Sequence, residues 1–369
     1  MGPLDTPKPL STGSPRRAFL VAVSLPGQPA WEVDDHLDEL GELARSAGVE
    51  VVGRAVQSRK APHPKTFIGR GKAEEIGPAA RQLGADLLLF DDDLSAGQVQ
   101  ALEAIFDAQA LDRSGLILEL FSQRARSREA RTQVELARLQ YLLPRLTRRW
   151  SHLSRQAGGI GVRGGEGETQ LETDRRMLRR RIAQLERDLE KIERTRKVQR
   201  RGRRDVRQIA LAGYTNAGKS TLFNRLTQGA ARAEDRLFAT LDSKLRRGGL
   251  GEGEVAVFAD TVGFIRKLPH DLVASFKSTL EEIVFADLVL HLVDRSHPRW
   301  EEQLEVGLQV LAELGVEGER ILTVFNKLDR VDPLEVSRNG TGVWVSARTG
   351  EGIGERLRPA MRERLAVAV

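Results

Sequence analysis

Cysteine is absent from the chain. That excludes disulfides and thiolate metal sites alike, and a reducing cytoplasm is the compartment this predicts. Aromatic residues are scarce, at 5% against 30% charged residues, which predicts extensive solvated surface, while 40% hydrophobic content still supports real cores. Long apolar runs are missing too. No N-terminal stretch has the length of a signal-peptide core and none approaches a bilayer span, so a soluble protein with no membrane span is expected. At 369 residues, two or three domains are expected.

What is present is unevenly placed. The net charge is +6, but between residues 122 and 207 there are 25 Lys and Arg against 11 Asp and Glu. This surplus of 14 leaves the rest of the chain net negative by 8. A basic middle between acidic flanks predicts a polyanionic partner.

The most specific stretch is Gly213-Tyr214-Thr215-Asn216-Ala217-Gly218-Lys219-Ser220, of the form G-x-x-x-x-G-K-S. The apolar run Gln208–Ala212 before it reads as a buried strand, and Thr221 to Leu226 after it has apolar residues at helical spacing. Strand, glycine loop and helix are what a phosphate cradle requires. Backbone N–H groups turn inward and the helix N-terminus adds partial positive charge. Lys219 is expected to bridge β- and γ-phosphates, and the Ser220 hydroxyl to ligate Mg²⁺.

Further parts of a guanine-nucleotide site follow in order. The strand Val255–Ala259 ends in Asp260-Thr261-Val262-Gly263. There Asp260 would hold Mg²⁺ through water and the Gly263 N–H would approach the γ-phosphate. Thr240 lies between, where its hydroxyl would ligate Mg²⁺ only with a γ-phosphate present. After the strands Leu288–Val293 and Ile321–Phe325 comes Asn326-Lys327-Leu328-Asp329. The Asp329 carboxylate can accept from N1–H and the 2-amino group of guanine, donors that adenine lacks. Ser346-Ala347, after the strand Val343–Val345, would bring a backbone N–H near guanine O6. Hydrolysis is expected to depend on Lys219, Thr240 and Gly263; Phe264, next in line, offers no side-chain amide to orient water.

The rest of the chain divides by character. Residues 1–15 carry four prolines and read as a disordered tail. Residues 16–121 alternate strands (Phe19–Val23, Val49–Val56, Asp86–Phe90) with helices (Val33–Ala47, Ala73–Leu83, Ser95–Phe106), and Leu116–Phe121 closes the set. That predicts a small α/β domain with a largely parallel sheet. Gly69-Arg70-Gly71-Lys72 reads as a turn or helix start, or as a fragment of a phosphate loop; Asp91-Asp92-Asp93 reads as a polar loop or a cation site. Over residues 122–206, Leu136, Leu139, Leu143, Leu146, Trp150 and Leu153 form one narrow apolar seam and Leu171, Leu178, Ile182, Leu185, Leu189 and Ile192 another. An antiparallel helical hairpin is expected, kinked at Pro144. Its tip, residues 157–168, has six glycines between Gly158 and Glu168. It is either a slack linker or a loop fitted to a rigid surface. Its Gly159, Gly161, Arg163 and Gly164, and the arm residues Arg179, Arg180 and Arg181, are candidate RNA contacts. Other arm arginines, Arg145 among them, belong to the same basic surface.

The phosphate loop, Phe238-Ala239-Thr240-Leu241-Asp242, Asp260-Thr261-Val262-Gly263-Phe264-Ile265, Asn326-Lys327-Leu328-Asp329, the glycine tip with Gly167-Glu168-Thr169-Gln170-Leu171-Glu172, and Lys65–Lys72 together resemble the HflX family. The resemblance spans nearly the whole chain after the tail. It implies a P-loop GTPase domain at 207–369, preceded by the small α/β domain and the hairpin. It also implies binding of GTP/GDP, GTP hydrolysis on Mg²⁺, and binding to the large ribosomal subunit and its RNA. Splitting of stalled or idle ribosomes under stress, with the tip near the peptidyl transferase centre, is implied as well. In related GTPases an Asn at position 216 helps hold K⁺; here that role and simple tolerance of the loop conformation both stand. Gly165 replaces a proline usual in the family, the link from Asp329 to Val343 is short, and the C-terminal segment of many relatives is expected to be missing. The expected protein is monomeric and cytoplasmic. A GTP-regulated assembly factor, and a nucleotide-switched RNA-binding module with little catalysis, remain open.

Overall fold

The computed structural model describes residues 16–146, 166–201, 206–229, 237–238, 240–267, 277–332 and 342–367. By contacts the chain forms two compact units, one of residues up to 123 with 132–189 and one of residues 124–131 with 190–369.

In the first unit β1 (Arg17–Ser24), β2 (Glu50–Ser58), β3 (Leu87–Phe90) and β4 (Gln109–Asp112) form a parallel sheet in the order β2-β1-β3-β4. Parallel neighbours need crossovers. These are α1 (Ala30–Ser46), α2 (Arg70–Gln82) and α3 (Ala96–Phe106). Ser95 opens α3 with a capping box: Ser95 Oγ accepts from Gln98 N–H, and Gln98 Oε1 accepts from Ser95 N–H. Leu116–Phe121 does not extend the sheet. It lies in α4 (Arg113–Arg124), and the fourth strand is the shorter Gln109–Asp112 before it. Every residue of α4 from Arg113 to Leu118 is buried, which erases the polar stripe by which an amphipathic helix is read.

The two weak motifs of this unit are structural. Gly69 caps α2, which starts at Arg70. Asp91 and Glu39 both receive the buried guanidinium of Arg113, Asp91 at 2.7 Å, and Asp93 accepts from Ser114 Oγ. Among the described residues no cluster of acidic and imidazole side chains suits a metal ion.

The hairpin arms are α5 (Arg128–Leu142) and α6 (Glu166–Arg201). Leu136 and Leu139 pack on Leu178 and Leu185, flanked by Leu143, Leu146, Ile182 and Leu189. Arg175 donates to Leu146 O and Arg181 pairs with Glu135 at 2.7 Å, so the arms run antiparallel. At Pro144 the regular helix is broken: α5 ends at Leu142 and a single 3₁₀ turn, Leu143–Arg145, follows; residues 147–165, which would show the expected kink, lie outside the described residues. The second arm starts at Glu166, so Glu166, Gly167 and Glu168 are helical rather than part of the tip. Trp150, Leu153 and the tip up to Gly165 lie outside the described residues. Arg145 turns inward, bonding Leu94 O at 2.7 Å and Asp112 at 2.8 Å, which removes it from the basic surface.

The second unit is a six-stranded sheet in the order β10-β9-β8-β5-β7-β6, built from β5 (Gln208–Gly213), β6 (Lys244–Gly251), β7 (Glu254–Asp260), β8 (Leu288–Asp294), β9 (Ile321–Asn326) and β10 (Val343–Trp344). Only the β6–β7 pair is antiparallel. α7 (Lys219–Leu226), α8 (Lys277–Val284), α9 (Trp300–Glu313) and α10 (Arg358–Val367) accompany it. β8 is buried along its whole length, as a central parallel strand must be. Among the described residues no helix is long and apolar enough to cross a membrane.

Arg113→Met tests the buried ion cluster of the first unit. Stranding Asp91 and Glu39 without their counter-charge is expected to cost about 3–5 kcal/mol, read as a lower urea midpoint. A cost below about 1 kcal/mol would show that the carboxylates find other solvation.

Candidate nucleotide-binding site

The carboxyl ends of β5, β7, β9 and β10 surround a cleft of about 220 Å³, where open α/β sheets take their ligands. Of the predicted residues, Thr215, Asn216, Gly218, Lys219, Ser220, Thr221, Thr240, Gly263, Asn326, Lys327, Asp329 and Ala347 line it. Gly213, Tyr214, Ala217, Asp260 and Ser346 stand behind that lining. Phe238, Thr261, Arg330 and Arg348 also line it.

At the phosphate-loop end, Gly218 has φ +95°, and a Cβ there would lie 2.2 Å from Asn326 Nδ2; only glycine meets both conditions. Asn216 has φ 62°, a backbone state that Asn tolerates better than most residues. Lys219, the first residue of α7, is buried and donates to Gly213 O at 3.0 Å and Tyr214 O at 2.8 Å. Burial lowers its pKa to about 8, with the Asp260 charge opposing. A Cβ on Gly263 would come within 2.9 Å of Lys219 Nζ and of Thr215 Cα, so the segment after β7 presses directly on the loop. Backbone bonds fix that contact: Phe264 N–H donates to Gly213 O at 2.9 Å, and Thr215 N–H donates to Phe264 O at 2.7 Å.

Three side-chain oxygens converge beside Lys219. Ser220 Oγ donates to Asp260 Oδ2 at 2.8 Å, Thr240 Oγ1 donates to the same atom at 2.9 Å, and the two hydroxyls lie 2.9 Å apart. Asp260 Oδ1 is buried with no hydrogen-bond partner among the described residues. Burial raises the Asp260 pKa, against the two hydroxyls and the charges of Lys219 and Lys244. An all-oxygen donor set with a spare carboxylate oxygen fits a hard cation such as Mg²⁺.

At the other end, Asn326 is buried and uses both ends of its amide on backbone: Nδ2 donates to Ala217 O at 2.8 Å and Oδ1 accepts from Ala347 N–H at 2.9 Å. Ser346 N–H donates to Glu351 O. Neither expected donor to guanine O6 is therefore idle, and Ala347 N–H can serve a base only by sharing its proton with Asn326. Asp329 accepts from Ser346 Oγ at 2.6 Å, and the exposed Arg348 guanidinium stands 3.9 Å away. Lys327 is held by Asp294 at 2.6 Å. Sequence reading missed Asp294, Arg330 and Arg348; their only signal is position, at the end of a strand or beside Asp329 and Ala347.

The RNA-contact candidates belong elsewhere. Arg179, Arg180 and Arg181 are exposed on α6, Arg181 paired with Glu135. Gly159, Gly161, Arg163 and Gly164 lie outside the described residues.

The two ends of the cleft, with the Lys219 ammonium where α7 begins and the Asp329 carboxylate opposite, suit a single guanine nucleotide, and the fold that joins them is that of the P-loop GTPases. Residues 208–327 match the family described as 50S ribosome-binding GTPase, 34–122 the GTP-binding GTPase N-terminal region and 124–203 the GTP-binding GTPase middle region. The chain is 50% identical over 339 residues to GTPase HflX of Escherichia coli, covering 90% of this chain and 79% of that one. It is 47% identical over 347 residues to GTPase HflX of Magnetococcus marinus, covering 92% and 80%. The chain belongs to the HflX family of GTPases, and it binds and hydrolyses GTP. Among solved structures, a complex of SsGBP with GDP shares the fold at TM-score 0.50 and 24% identity, over 96% of this chain and all of that one. A GTP-binding protein of Sulfolobus solfataricus in complex with GDP is similar at TM-score 0.48 and 23% identity, over 96% and 100%.

The lowered Lys219 pKa gives a pH signature. Above pH 8 part of the free protein carries neutral Lys219, and a bound phosphate restores the ammonium. GDP binding at pH 8.5 is expected to take up a fraction of a proton, seen by calorimetry in two buffers of different ionisation enthalpy. Lys219→Met should abolish that uptake; equal uptake in both proteins would place the titrating group elsewhere.

Proposed function

We propose that this GTPase binds the large ribosomal subunit through its basic hairpin and splits stalled or idle ribosomes under stress, as a cytoplasmic monomer of three functional parts, 16–121, 122–206 and 207–369. The observation that carries this reading is the antiparallel hairpin with its surplus of arginine, joined in one chain to the nucleotide cleft. Counterion release from RNA phosphates makes such a surface bind strongly and in a salt-dependent way. The matched family description, 50S ribosome-binding GTPase, points to the same partner.

In the proposed cycle the backbone of residues 213–218 and the N-terminus of α7 cradle the phosphates. Lys219 exchanges its carbonyl partners for β- and γ-phosphate oxygens. Gly263 offers its N–H to the γ-phosphate. Ser220 and Thr240 would hold Mg²⁺ with Asp260 behind them; the ion supplies charge neutralisation when bound. Hydrolysis then rests on positioning and electrostatics. Phe264 is buried and its backbone is committed to the phosphate loop, so it orients no water. Turnover of the free protein is accordingly slow, and the ribosome completes the site. The φ of Asn216 suits backbone tolerance of the loop and a side chain that helps hold K⁺ alike; equal turnover in KCl and NaCl at matched ionic strength would reject the K⁺ role.

Asp329→Asn is expected to weaken GTP binding by about 2–4 kcal/mol and to admit xanthosine triphosphate, whose 2-oxo group an amide can satisfy. Unchanged GTP affinity on titration would remove Asp329 from the base site.

Replacing residues 158–165 by a neutral linker of equal length should keep most ribosome affinity and all GTP affinity but abolish 70S dissociation, followed by light scattering. Splitting at the native rate would reduce the tip to a connector. Preferential binding of the intact protein to immature particles, with no splitting, would favour an assembly role.

A further inference from the structure

The stretch between Thr240 and β6 is fastened at a point that the nucleotide chemistry does not explain. Asp242 Oδ2 accepts from the backbone N–H of Arg126 at 2.9 Å and of Ser127 at 3.2 Å, and Asp242 Oδ1 accepts from Ser127 Oγ. Ser127 is itself the cap of α5: its Oγ accepts from Ala130 N–H at 3.0 Å and its carbonyl from Arg131 N–H at 3.1 Å. The Ser127 N–H is the first unsatisfied donor of α5 and the Arg126 N–H lies just before it, so the Asp242 carboxylate meets both at the positive end of the helix dipole. Its bonds are charge-assisted and therefore strong. Residues 124–131 belong to the same compact unit as the cleft.

Two residues before Asp242, Thr240 Oγ1 is bonded to Asp260. Two residues after it, Lys244 opens β6 in register with Asp260. The intervening chain is short, so the anchorage of Asp242 limits where the Thr240 hydroxyl can go. We propose that Asp242 and Ser127 form a clasp that positions Thr240 for GTP hydrolysis, and that links the GTP-bound arrangement of Thr240 to the first turn of α5, the helix that continues as the first hairpin arm. This rests on the reading of Thr240 as a hydroxyl engaged when GTP is bound. Because coupling is reciprocal, a GTP analogue must then tighten the clasp.

The test uses the full chain and four variants: Ser127→Ala, Asp242→Asn, Ser127→Thr and Thr240→Ala. Ser127→Ala and Asp242→Asn should lower kcat about 10-fold or more while GDP affinity, which does not draw on Thr240, stays within about twofold. Ser127→Thr keeps the hydroxyl and should restore the native kcat. In hydrogen exchange, amides of residues 126–131 should be better protected with a non-hydrolysable GTP analogue than with GDP, and Asp242→Asn should erase that difference. Native kcat in both Ser127→Ala and Asp242→Asn, with Thr240→Ala impaired, overturns the clasp alone. Native kcat in Thr240→Ala overturns the reading of Thr240, and the clasp with it. A parallel loss of GDP affinity in both clasp variants would make the contact a fold element and would equally overturn the positioning role.

Discussion

The buried carboxamide of Asn326 ties together three segments far apart in sequence: the end of β9, the loop before α7 through Ala217 O, and the loop after β10 through Ala347 N–H. Its two short bonds fix the distance between the part of the cleft that suits phosphates and the part that suits a base. A buried amide satisfied at both ends is rigid because every alternative leaves an unpaired donor or acceptor away from water. Gly218 yields to it, since no side chain fits beside Asn326 Nδ2. Asp329, one turn further on, inherits its position from that staple and from Ser346 Oγ.

Charge is organised differently in the two units. In the first, Arg113 and Arg145 are drawn inside to carboxylates at the ends of β3 and β4, and Tyr141 Oη joins Arg145 on Asp112 at 2.7 Å. The bonds of Tyr141 and Arg145 tie α5 and the 3₁₀ turn after it to the end of β4 as well as satisfying Asp112. Arginines on the outer face of α6 have no such duty beyond pairs such as Arg181 with Glu135, and exposed pairs of this kind contribute little to stability. Their number therefore speaks for a partner, in a way that the inward arginines do not.

Much of this was legible in the sequence, for identifiable reasons. Motifs at strand ends carry their own context, and the strand–loop–helix around Lys219 and the seam Leu136, Leu139, Leu178, Leu185 fell where periodicity put them. The apolar run Leu116–Phe121 was ambiguous because a fully buried helix shows no polar stripe. At Pro144 the helix gives way to a 3₁₀ turn whose Arg145 is held by Leu94 O and Asp112, a tertiary contact that no local pattern displays. β6 went unread: its Lys, Arg and Gly content masks a strand that is stabilised by pairing with β7. No local pattern could reveal that Asp294 holds Lys327, or that Asn326 spends its amide on backbone, since both are facts of tertiary proximity.

The two carbonyls that hold Lys219 have a kinetic meaning in the proposed cycle. A buried ammonium with no other partner would make departure of a bound diphosphate expensive, because the vacated cation would face an apolar interior. Gly213 O and Tyr214 O receive it instead, so entry and exit become a swap of one set of acceptors for another. Part of the intrinsic attraction for phosphate is given up, and the barrier to release falls with it.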